Sequence, residues 1–168
     1  MTPEYYWHNG KTDYYLLGEE IKDPSKLLIF NKLEGTFKDK KSKISPFKVM
    51  RGKQYYDSKT KKLLVPKLFG KDGYWEILDW DKAFTAGMKS VGLKYSGSYA
   101  PIETEMYWPV FHMVATKEKA LGGKENRCSV CHAKQGKKGL MDWKALGYSG
   151  DPKKKDHNSR IKQGIVKK

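Results

Sequence analysis

The chain has 168 residues, enough for one domain with a real core, and its 38% hydrophobic and 32% charged residues give a polar, water-compatible profile. The formal charge of +15, from 34 Lys and Arg against 19 Asp and Glu, is spread through every segment and favours an anionic partner. No nucleic-acid motif accompanies that charge and no apolar stretch is long enough to span a bilayer, which argues against a nucleic-acid module and against a membrane-spanning one.

Residues 1–78 are dense in Gly, Pro, Lys and aromatic side chains, and their apolar runs, such as Leu27 to Phe30 and Leu63 to Val65, are cut off by turn signals. Pro24, Pro46 and Pro66 hold the preceding residue in an extended conformation, so this part is read as loops with a few short strands. The 11 Tyr and 5 Trp of the chain suit burial against a large flat surface, and residues 1–78 are accordingly read as a wrapping region. From residue 79 the pattern changes. Asp79 or Asp81 can cap a helix carrying Trp80, Phe84, Met88 and Val91 near one face, with Gly92 as its stop. A second helix is expected to begin near Pro101 to Thr104 with Glu103 and Glu105 in its first turn. It would run through Met106, Tyr107, Val110, Phe111 and Val114 to Gly122-Gly123, with Pro109 kinking it or delaying its start. Asp142 can cap a short turn, and the basic tail of residues 153–168 lacks apolar anchors. The expected fold is therefore mainly irregular with α-helices and a few short strands, the helices concentrated in residues 79–122. One folded domain is expected overall, made of the wrapping region 1–78, a helical region 79–152 and the tail.

The chemistry lies at Cys128-Ser129-Val130-Cys131-His132, a C-x-x-C-H pattern. Two thiols at this spacing can add to the two vinyl groups of a haem while the adjacent imidazole ligates its iron, so Cys128 and Cys131 are read as the covalent attachment points of one haem c and His132 as the proximal ligand. A disulfide, a thioredoxin-type pair or half a zinc site are weaker readings. No βαβ pattern surrounds the motif, and the four His of the chain give no usual zinc-finger spacing.

The sixth coordination position decides what such a haem does. A second strong ligand makes a closed site for electron transfer, and an open position permits ligand binding or catalysis. His112, among Trp108, Val110, Phe111 and Met113, is the preferred distal ligand, although a lone His in such a setting is ordinarily a core residue bonded to a backbone carbonyl. His8 is a further candidate, for this haem or a partner's, against a plain turn-forming surface His. His157 in the tail reads as solvated, and Met106 and Met113 as core filler.

Several segments besides the motif, ISPFKVMRGKQ (44–54), ETEMYWP (103–109), HMVATKEKAL (112–121) and DWKALGY (142–148), together resemble the C-terminal part of octahaem cytochromes of the tetrathionate reductase family, which is related to the hydroxylamine oxidoreductases. The resemblance spans roughly residues 7–152. It implies a multihaem-cytochrome fold, with Cys128, Cys131 and His132 matching the last attachment site and His112 matching a distal ligand to this haem or a neighbouring one. The departure is one haem motif where that family has eight, so catalytic activity does not carry over and no catalytic residue is assigned.

Together these readings point to an electron-transfer subunit or fragment, not catalytic alone, that completes a larger assembly with other multihaem cytochrome chains as a hetero- or homo-oligomer and contacts their haems. The alternative is a stand-alone haem enzyme or gas-binding protein, similar to the cytochrome P460 group with its late C-x-x-C-H, with an open sixth position. Attachment of haem c implies a periplasmic or extracellular location, while residues 1–10 show no basic segment followed by an apolar one. A signal segment is therefore expected to have been removed, to precede this chain in a longer precursor, or to be missing from a fragment.

Overall fold

The computed structural model describes residues 3–110, 128–129, 131–132, 139–154 and 159–166. Its strands are Glu4–His8 (β1), Thr12–Tyr14 (β2), Leu28–Ile29 (β3), Asn31–Leu33 (β4), Lys43–Asp57 (β5) and Tyr99–Pro109 (β6), and its helices are Tyr74–Ile77 (α1) and Trp80–Ser90 (α2). A four-stranded sheet has the order β1-β5-β6-β3, and β2 pairs with β4.

This architecture overturns the helix-rich expectation: among the described residues 31% lie in strands and 11% in helix. The main correction is at residues 99–109, read as the start of the second helix and found as β6. Ile102 and Thr104, two residues apart on one face, are buried, as the two-residue period of a strand requires. Glu103 and Glu105, taken for first-turn helix acids, instead reach across to the neighbouring strand. Glu103 pairs with Lys53 at 3.1 Å and Glu105 with Arg51 at 2.8 Å. Such cross-strand pairs stabilise a sheet as i,i+4 pairs stabilise a helix. The expected continuation of that helix, residues 111–122, lies outside the described residues. Likewise β5 runs for 15 residues where only short strands were expected. Pro46, read as a limit on regular structure, is compatible with it because its restriction is to extended backbone. Pro46 lies opposite Tyr5 of β1, and its carbonyl accepts from Val110 N–H at 3.2 Å.

The first helix is where the sequence placed it. The Asp79 carboxylate caps α2 by accepting from the Lys82 N–H at 3.1 Å, Asp81 and Lys89 sit at the ends that suit their charges, and Gly92 follows with a φ of 71°.

The chain divides into two compact units. One comprises Met1–Asp13, Leu33–Val49 and Tyr107–Lys168, the other Tyr14–Lys32 and Met50–Met106. The second unit has its core on α2, where Leu64, Phe84 and Met88 are buried among Tyr55, Val65, Trp80, Leu93 and Tyr95. Tyr74, Trp80 and Phe84 stack in series, with centroids 3.8 and 5.3 Å apart. Gly87 lets the helix touch the segment 65–67, since a Cβ there would stand 1.9 Å from the Val65 carbonyl oxygen. Buried Asp57 ties this unit's loops, accepting from the N–H groups of Lys59, Thr60 and Ser96 and from the Ser96 hydroxyl at 2.7–2.9 Å.

The first unit is held by aromatic contacts. β1 pairs antiparallel with the first part of β5, Glu4 opposite Phe47 and His8 opposite Lys43. Tyr6, Phe47 and Tyr107 pack edge to face. Trp7 packs against Phe37 and Tyr148 and donates its indole N–H to the Leu146 carbonyl at 2.8 Å. The tail joins this cluster: the Arg160 guanidinium lies 4.5 Å over the Trp7 ring and donates to the carbonyls of Ser42 and Asp39.

Candidate haem site

The two cysteines and the adjacent histidine are brought onto one turn of the first unit, closed by the His132 N–H donating to the Cys128 carbonyl at 2.8 Å. Both cysteines are free thiols, Cys128 exposed and Cys131 half-buried. Burial pushes the Cys131 thiol above its ordinary value, and burial, followed by the neighbouring Cys131, does the same to the Tyr5 phenol.

The imidazole is fixed from two sides. His132 Nδ1 is hydrogen-bonded to an Asp151 carboxylate oxygen, and that same oxygen accepts from the Lys153 N–H at 3.0 Å. Burial alone would raise the Asp151 carboxyl, but the Lys153 amide and His132 outweigh it and hold it below the ordinary carboxylate value. An ionised carboxylate only accepts, so Nδ1 carries a proton, and in the neutral ring Nε2 is then the nitrogen with a lone pair. On the ring face, Trp143 stacks at a centroid distance of 4.9 Å and an interplanar angle of 15°.

Trp143 is placed by a turn that the sequence marks at Asp142. The Asp142 carboxylate accepts from the Ala145 N–H at 3.0 Å, and Gly147, at a φ of 87°, reverses the chain so that the Tyr148 N–H reaches the Trp143 carbonyl at 2.9 Å. Tyr148 then meets Trp143 edge to face and packs on Trp7, linking the imidazole to the unit's aromatic core.

These residues fit a covalent haem c. Two free thiols stand at C-x-x-C spacing beside an imidazole whose Nδ1 is already committed to a carboxylate, the second-sphere arrangement that metal-ligating histidines use. The indole N–H of Trp143 is buried without an acceptor among the described residues, a donor that a haem carboxylate would satisfy. Cys128 and Cys131 would hold the group and His132 would ligate its iron.

Of the other candidates, His8 has its Nε2 3.1 Å from the Lys11 carbonyl oxygen and its ring edge-on to Phe47, so the ring serves the β1–β2 turn. Met106 lies in β6. His112, Met113 and His157 lie outside the described residues. Sequence reasoning missed Asp151 and Trp143. The available signal was a carboxylate and an aromatic ring shortly after a ligand His in a Lys-rich stretch, but such a pairing acquires meaning only once the chain turns back.

A model of the bacterial cytochrome c family matches residues 1–135. Among solved structures, the crystal structure of octaheme cytochrome c from Shewanella oneidensis is similar, with 42% sequence identity and a TM-score of 0.75. The match covers 89% of this chain and 34% of that one, so the chain spans about a third of the length of the octaheme protein. No curated protein matches. The resemblance read from the segments around the motif is thereby borne out, and the chain belongs to the bacterial cytochrome c family.

Proposed function

We propose that the chain is an electron-transfer subunit or fragment with one haem c, attached at Cys128 and Cys131 and ligated by His132, that completes a larger multihaem assembly. The observation that carries this reading is the hydrogen bond between His132 Nδ1 and Asp151 beside two thiols at C-x-x-C spacing, which in the neutral ring leaves Nε2 able to ligate an iron. When bound, the haem supplies a one-electron carrier. The chain's own residues would attach it through Cys128 and Cys131 and orient its ligand through Asp151 and Trp143. His112 is read as the distal ligand to this haem or a neighbouring one, and His8 as a further ligand candidate, for this haem or a partner's. The similarity to the octaheme protein supports a multihaem setting, and the charge of +15 would orient an acidic partner. We read the working protein as periplasmic or extracellular, the setting that covalent haem attachment implies. No helix among the described residues is long and apolar enough to cross a membrane.

The test is the visible spectrum of the exported, haem-loaded protein with whatever co-purifies, oxidised, reduced, and reduced under carbon monoxide. Low-spin bands that carbon monoxide does not shift, with more than one haem per chain, are expected. A high-spin spectrum that shifts with carbon monoxide at one haem per chain would replace this reading with a gas-binding or catalytic one. His112→Ala should open or weaken the low-spin site, and an unchanged spectrum removes His112 from the ligands.

A further inference from the structure

We infer that Asp151 is a positioning residue that sets the reduction potential of the haem on His132, holding the iron toward the ferric state. The inference rests on the reading of His132 as an axial ligand. A carboxylate accepting from Nδ1–H draws the proton toward itself and gives the ring imidazolate character, so that Nε2 becomes a stronger donor. A stronger donor favours Fe(III), which carries one more positive charge than Fe(II), and so lowers the potential.

The geometry marks a built contact rather than a passing surface pair. Asp151 is itself fixed by the Lys153 N–H at 3.0 Å, its side chain is only 10% exposed and that of His132 25%, and the stacked Trp143 prevents the ring from rotating away.

The experiment uses the haem-loaded full chain with any cytochrome that co-purifies, and compares the wild type with Asp151→Asn and Asp151→Glu. Haem retained on a denaturing gel reports attachment, and spectroelectrochemical titration reports the potential. Asp151→Asn keeps the shape and an acceptor but removes the charge. It should retain covalent haem and shift the ferric-to-ferrous preference toward ferrous by about tenfold, equivalent to about 59 mV for a one-electron couple. Asp151→Glu, which restores the charge, should recover most of the shift. An unchanged potential in Asp151→Asn with haem still attached overturns the inference while leaving the function intact. Wild-type chain without covalent haem overturns both. A merely structural Asp151 would change thermal unfolding in both variants and leave the potential of the haem-loaded fraction where it was, which also counts against the inference.

Discussion

Gly87→Ala tests the packing of the second unit because local propensity and tertiary contact predict opposite signs. In an unobstructed helix interior the substitution gains about 1 kcal/mol. In α2, however, the new Cβ would stand 1.9 Å from the Val65 carbonyl oxygen, 2.7 Å from Lys67 N and 2.8 Å from Pro66 C, all backbone atoms that no rotamer change can move. The segment 65–67 must shift, and it is held by the Lys67 N–H donating to the Ala83 carbonyl at 2.9 Å. Overpacking of this kind costs about 1–3 kcal/mol, and weakening the hydrogen bond adds about 1 kcal/mol. Set against the propensity gain, the net loss is about 1–3 kcal/mol, or a fall in Tm of about 3–9 °C for a chain of this length. Thermal unfolding followed by circular dichroism measures it. Gly92→Ala is the control: nothing lies within 4 Å of its Cβ, and only the left-handed backbone, at a φ of 71°, opposes the substitution, so its cost is about 1 kcal/mol. A Tm for Gly87→Ala at or above the wild type would refute the close approach of α2 to residues 65–67.

Three further outcomes follow from contacts already described. Burial alone would raise the Asp57 carboxyl, but the amides of Thr60, Ser96 and Lys59 with the Ser96 hydroxyl more than offset it, so its folded value lies below the ordinary one. Its stabilising contribution is therefore present above the ordinary value and lost as pH falls through the folded one. Asp57→Asn should cost about 2–3 kcal/mol at neutral pH and flatten the loss of stability below about pH 4, read by denaturant titration across pH. Cys128→Ser and Cys131→Ser should each leave a single thioether, visible as a shifted reduced haem band, and the double variant should lose all haem from a denaturing gel. Arg160→Ala removes the guanidinium over Trp7 and leaves the carbonyls of Ser42 and Asp39 without that donor. A loss of about 1–2 kcal/mol in thermal unfolding is expected, and none would show that the tail does not dock in solution.

How far the fold was legible depended on how local its determinants are. α2 was readable because its signals, Asp79 as cap, an apolar face through Phe84 and Met88, and Gly92 after the end, all lie within one short window. β6 was not, because its partners are remote. Glu103 and Glu105 look like the acidic first turn of a helix until Lys53 and Arg51, some fifty residues earlier, are brought alongside. The strand's alternation is also broken, with Ile102 and Thr104 buried in one phase and Tyr107 in the other, so a two-residue period is hard to detect in the string. In β5 the Pro and the Lys-rich composition masked a strand that the restriction of Pro46 to extended backbone in fact permits.

The same distinction governs the site. Cys128, Cys131 and His132 are legible because covalent attachment demands a fixed spacing within five residues. What tunes such a group is free of that demand: a carboxylate that accepts from Nδ1 can come from any point where the chain returns, and here it comes from Asp151, 19 residues on, in a stretch whose composition suggests a solvated tail. Trp143 reaches the ring through a turn whose parts, Asp142 and Gly147, are visible in sequence while its destination is not. A motif therefore points to the cofactor, and on the inference drawn above the returning chain tunes it. It follows that relatives sharing the five-residue motif but lacking a carboxylate opposite Nδ1 should bind the same haem at a higher potential.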